Sequence, residues 1–198
     1  MSEQKSSTAM IWDAISIGDI DQTCGLFSRH PEMVNAFIPF GGGTFLHLAA
    51  SKQGVDMAEA LLKIGFDVNK GGKFAGDTAL VSACSYGNYS VAKYLIDNEA
   101  KLDVESPQKN PLFGAIIGCS SEIVRLLLEA GIDTSVRYTG ESMRNMDAIA
   151  FALERGEGVI AREIALWNSN GDVAKANALL ETGQEIVNSN NASPDPEA

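Results

Sequence analysis

Four stretches of this chain repeat one another, and that repetition limits its fold more than any other feature. TFLHLAASKQGVDMAEALLKIGFDVN starts at Thr44, TALVSACSYGNYSVAKYLIDNEAKLD at Thr78, NPLFGAIIGCSSEIVRLLLEAGIDTS at Asn110 and DAIAFALERGEGVIAREIALW at Asp147. The starts lie 34, 32 and 37 residues apart. A weaker copy, TAMIWDAISIGDIDQTCGLFSRHPEMVN, precedes them, with Ile11 at the place of Leu46. A copy of this length holds two short helices and cannot bury its apolar face alone. Stacking on neighbours makes a continuous core, so the repetition predicts an array of about five helix pairs.

Each copy carries the same local signals. Thr44, Thr78, Asn110 and Asp147 stand where a side-chain oxygen can accept from a free amide of the first helical turn. Pro111 follows its cap, where the fixed φ of proline suits a helix start. Small residues come next (Ala14, Ala49, Ala50, Ala83, Ala115 and Ala152) and let helices approach closely. Gly18, Gly54, Gly87 and Gly156 are expected to stop the first helix, since glycine reaches the left-handed conformation without strain. The second helices carry Leu26–Phe27, Leu61–Leu62, Leu95–Ile96 and Leu126 to Leu128. Two of them end at Gly65 and Gly131; Glu99 takes that place in the Thr78 copy, which predicts a less comfortable turn.

TFLHLAA resembles the T-P-L-H-x-A signature of ankyrin repeats, whose period is about 33 residues. GFDVN (65–69) and AGID (130–133) are similar to that family's G-A-D-V-N turn. The resemblance covers about 8–167. It is specific in the copies starting at Thr44, Thr78 and Asn110 and loose at both ends; Phe45 and Ala79 replace the proline kept at Pro111. It implies an all-α ankyrin-repeat solenoid of about five helix-turn-helix repeats with a C-terminal capping helix. Residues 1–7 are then a flexible N-terminus and 8–167 the repeats. Residues 168–188 are a capping helix, started by Asp172 and packed through Val173, Ala176 and Leu180, and 189–198 a disordered tail. The resemblance also gives His47 the role of bracing the turn against Thr44. It places Gly41 to Gly43 and KGGKFAG (70–76) in the hairpin loops between repeats.

Chemistry finds little support. Gly43 is followed by Thr, Phe and Leu, which departs from the G-x-x-x-x-G-K-[ST] phosphate loop, and no G-x-S-x-G elbow occurs. His30 and His47 lack companions at ligand spacing. Cys24, Cys84 and Cys119 form no disulfide framework and read as reduced, mostly buried thiols. No catalytic residue, cofactor or metal is expected. The net charge of -11 argues against nucleic acid and anionic membranes as partners. The N-terminal stretch is no signal peptide, because Asp13 breaks its short apolar patch, and no run is long enough to span a bilayer. A soluble, cytoplasmic chain is the expectation.

Ankyrin repeats commonly bind proteins through the concave side and the hairpin loops, here 36–43, 70–77, 103–109 and 134–146. Trp12, Asp13, Ser82, Tyr86 and Phe113 are the exposed candidates on the first helices, and Arg137, Tyr138 and Arg144 those in the longest loop. An acidic surface favours a basic protein partner. Small acidic chains of this family resemble bacterial immunity proteins, which suggests a stoichiometric inhibitor of a basic toxin or enzyme. The alternatives are a general scaffold or adaptor, and, more remotely, an enzymatic activity within 141–198.

Overall fold

The computed structural model describes residues 6–39, 41–140 and 143–192. Its contacts divide the chain into two units, Met1–Lys101 and Leu102–Ala198. The first holds three helix pairs: α1 (Ser7–Ile17) with α2 (Ile20–Arg29), α3 (Phe45–Lys52) with α4 (Val55–Ile64), and α5 (Ala79–Ser85) with α6 (Tyr89–Asp97). A 3₁₀ turn, Pro31–Met33, follows α2. The first helices pack α1 on α3 on α5, and the second helices α2 on α4 on α6. The other unit holds α7 (Pro111–Ile117) with α8 (Ser121–Glu129), and α9 (Ala148–Glu154) with α10 (Gly158–Asn168). Strands β1 (Tyr138–Gly140) and β2 (Met143–Met146) pair antiparallel between α8 and α9, with an irregular register. Helix α11 (Val173–Ala192) lies on α9 and α10. The five pairs are those that the repeats predict.

Local signals explain most boundaries. Thr44 caps α3 and forms a reciprocal box with His47. Asn110 Oδ1 accepts from Leu112 N–H (2.9 Å), and Asp147 Oδ1 from Ala150 N–H (2.9 Å). Thr78 has the extended backbone of a cap, but its side chain accepts no capping bond. Gly54 departs from its expected role: at φ -80° it starts α4, while Gln53 closes α3. Cys119, expected to be buried, is exposed at φ 52°, in the left-handed region that Gly18, Gly87 and Gly156 occupy after their own first helices. Cys84 is buried as expected, and Cys24 is half-buried.

Asparagines 34 positions apart tie the second-helix ends together. Asn35 Nδ2 donates to Gly65 O (3.2 Å) and its Oδ1 accepts from Asp67 N–H (2.9 Å). Asn69 repeats the pattern on Glu99 O (3.1 Å) and Lys101 N–H (2.8 Å). One side chain therefore satisfies both a helix-terminal carbonyl and an amide beyond it, which explains the asparagine of GFDVN.

Helix α11 starts where Asp172 accepts from Ala174 and Lys175 N–H groups (3.0 and 3.1 Å). It buries Ala176, Gly183 and Val187. Leu180 is half-buried, and Val173, expected to pack, is exposed because it sits at the helix start, outside the 176–183–187 stripe. At Gly183 a β-carbon would lie 3.1 Å from both Ile149 Cγ2 and Leu153 Cδ1, so glycine is what lets α11 approach α9. The helix continues four residues past the expected 188 boundary; 193–198 of the expected tail, like 1–5 of the expected flexible N-terminus, lie outside the described residues.

Candidate functional site

The GGGTFLH stretch is a joint between two hairpin loops. His47 Nδ1 accepts from Thr44 N–H (3.0 Å) and lies 2.9 Å from Thr44 Oγ1. That leaves the proton on Nε2, which donates to Asp77 O in the next loop (2.9 Å). Lys73 N–H donates to Gly42 O (2.7 Å), and the Phe74 ring covers Gly42, where a β-carbon would run into it. Gly42 has φ 72°, so glycine is required there twice over. Both ring nitrogens of His47 are engaged in scaffold bonds. Among the described residues no group of three or more His, Cys, Asp or Glu is placed to hold a metal ion.

The first unit presents aromatic side chains from its first helices and loops. Trp12 on α1 is 37% exposed, with Lys52 Nζ of α3 5.7 Å from its ring centroid. Tyr86, which closes α5, is 68% exposed; Ser82 one turn earlier is half-buried, and Asp13 is exposed beside Trp12. Ile11, Ala14 and Ile15 of α1, and Leu80, Ala83 and Cys84 of α5, take the packed side, which leaves Trp12 and Tyr86 outward. Two aromatic residues missing from the sequence expectation join them at the loops. Phe37 is exposed under Lys70 Nζ (5.4 Å), and Phe74 is 81% exposed beside Lys73 Nζ (5.8 Å). For Phe74 the signal was an aromatic between Lys73 and Ala75 in the glycine-rich loop KGGKFAG.

The second unit corrects two expectations. Phe113 is 2% exposed, stacked on Phe151 (4.4 Å between centroids) and meeting the edge of Tyr138 (5.1 Å). Tyr138 is buried too; its hydroxyl donates to Val104 O (2.8 Å) and accepts from Asn110 Nδ2 (3.0 Å). Burial holds its phenol above the usual tyrosine value. The hairpin folds over α7, so both rings are core, and neither is available as an exposed anchor. Arg137 stays at the surface but is held by Asp147 (2.8 Å), the cap of α9. Arg144 is exposed on β2, and its carbonyl accepts from Asn190 Nδ2 of α11 (3.2 Å). At Cys119 a hydrogen bond to the Glu157 carboxylate, then burial, raises the thiol above its ordinary value, so the exposed sulfur is a poor nucleophile. Burial does the same at Cys84.

Comparisons with known proteins agree with this architecture. The family model described as ankyrin repeats (3 copies) matches residues 46–138. A protein of Rickettsia felis, provisionally named an ankyrin repeat protein, is 35% identical over 102 residues, which are 50% of this chain and 45% of that one. The chain thus spans under half the length of the curated relative it matches. No helix among the described residues is long and apolar enough to cross a membrane. The matched segment takes in His47 and the helix pairs from α3 to α8, and it is similar to ankyrin repeats, a family of protein-protein interaction modules.

Proposed function

We propose that residues 8–167 bind one protein partner through the first-helix face and the hairpin loops, with α11 closing the array, and that the partner is basic. The exposed Trp12 and Tyr86 carry this reading. Large amphipathic side chains on short, capped helices lose little entropy on binding and are typical interface anchors. Asp13 and Ser82 flank them as polar rim groups. The charge supports a basic partner: residues 102–198 carry 15 Asp and Glu against 7 Lys and Arg, most of the net -11. Such a field steers a cationic surface toward the chain. An inhibitor that occludes a basic toxin or enzyme, in the manner of a bacterial immunity protein, combines these features.

The test mixes the chain with the product of the adjacent gene in its source genome, and measures complex formation and the partner's activity. A one-to-one complex that silences the partner is expected, weakened at least tenfold by Trp12→Ala or Tyr86→Ala. Absence of both complex and inhibition would end the inhibitor reading. Weak binding to several unrelated proteins through the same residues would identify an adaptor.

A further inference from the structure

Helices α4, α6, α8 and α10 end in the same backbone pattern, and α10 lacks one part of it. After the first three, a left-handed residue stands at Gly65, Glu99 and Gly131. The next amides, of Phe66, Ala100 and Ile132, donate to Leu61 O, Leu95 O and Leu127 O (3.1, 2.9 and 3.1 Å). Phe66, Ala100 and Ile132 are buried, and an apolar residue at this place commonly seals the helix end against its last turn. After α10 the same bonds form: Asn170, at φ 52°, donates to Trp167 O (3.0 Å), and Gly171 N–H to Leu166 O (2.8 Å). The sealing side chain is missing. Gly171 is exposed, and a β-carbon there would meet nothing within 4 Å. Segments with little buried apolar surface open first, which makes this helix end easier to open than its three counterparts.

Asn170–Gly171 is also the one Asn-Gly pair in the sequence. Asparagine before glycine reacts with its own backbone, because no β-carbon hinders the glycine nitrogen. That nitrogen loses its proton and bonds to the asparagine Cγ; the Cγ–Nδ2 bond breaks and ammonia leaves, closing a succinimide ring. Water then adds to one of the two ring carbonyls. Opening on the Cγ side gives aspartate, and opening on the backbone side gives isoaspartate, whose main chain is longer by one methylene. The Asn170 side chain is exposed and makes no hydrogen bond among the described residues, so its Cγ is open to attack. The nucleophile is not open: the Gly171 proton is held by Leu166 O. Its removal has the same requirement as amide hydrogen exchange, an opening of the helix end.

We propose that Asn170 is a self-modification site, locked by the hydrogen bond from Gly171 to Leu166, whose conversion loosens α11 from α10. The link from Ser169 to Asp172 joins the two helices, and Asp172 caps α11. Isoaspartate lengthens that link and displaces the cap. Aspartate puts a negative charge at the carbonyl end of α10, where the helix dipole opposes it. The full chain is aged in mildly alkaline buffer, folded and in parallel in urea, and mapped by mass spectrometry and isoaspartate methyltransferase labelling. In urea Asn170 should convert before every other asparagine. In the folded chain it should convert at least tenfold more slowly. Chain converted in urea and then refolded should exchange the amides of α11 at least tenfold faster than Asn170→Gly carried through the same treatment. That variant keeps the left-handed turn of Gly65 and Gly131 but has no amide to lose. Equal conversion rates in the folded chain and in urea remove the lock. Earlier conversion of another asparagine in urea removes the site, and α11 exchange equal to that of Asn170→Gly removes the consequence. Any of the three overturns the proposal.

Discussion

Glu99 shows how one residue departs from the repeat that surrounds it. It follows α6 at φ 66°, where Gly65 and Gly131 stand at φ 110° and 84° in the neighbouring copies. A β-carbon in the left-handed region costs on the order of 1 kcal/mol. Glu99 is exposed, and the bond that Asn69 makes to it uses its backbone carbonyl, so the side chain contributes little in return. Glu99→Gly should therefore stabilise the protein by roughly 0.5–1 kcal/mol, read as a rise of about 1–4 °C in melting temperature. Phe113 and Tyr86 make the opposite contrast. Both are aromatic residues of first-helix segments, and the sequence reading treated both as exposed. Phe113→Ala removes a ring stacked on Phe151 and should cost about 3–5 kcal/mol of stability in thermal or denaturant melts. Tyr86→Ala should leave the melting temperature within about 1 °C and act on partner binding alone.

At the scale of elements, the hairpin and α11 are what distinguish this chain from a plain repeat. The 37-residue offset before the last copy announced an insertion, and β1 and β2 are that insertion. Its length was legible, but its position was not, because Tyr138 finds Val104 and Asn110, residues about 30 positions earlier. Helix α11 was legible from Asp172 and the apolar spacing, yet its packed stripe runs through Gly183 rather than Val173. Gly183→Leu should force α11 off α9 and cost about 1–3 kcal/mol, since the added side chain meets Ile149 and Leu153 at once. Amide hydrogen exchange should report the loss in α11 while α3 to α6 stay protected.

For the whole molecule, charge is the property with the widest reach. Net -11 on 198 residues gives a field that acts before any contact forms. Association with a basic partner should slow by about tenfold or more between 0.05 and 0.5 M salt in stopped-flow mixing, as the Debye length falls from roughly 14 Å to 4 Å, while dissociation changes little. A rate flat across that range would mean that the bulk charge has no part in recognition.

The sequence alone determined the helix pairs, their number, most of their caps and the resemblance to ankyrin repeats. These are written locally: a cap reaches two or three residues, and an apolar face shows as spacing along one segment. The resemblance also singled out His47 as scaffold, and its bond to Thr44 spans three residues. Only the tertiary structure decided which side chains meet solvent. Phe113 is buried because a hairpin 25 residues later lies against it, and Arg125 meets Glu163 across 38 positions. Exposure belongs to a residue's neighbours in space, so a binding surface, unlike a helix, cannot be read from the order of the chain.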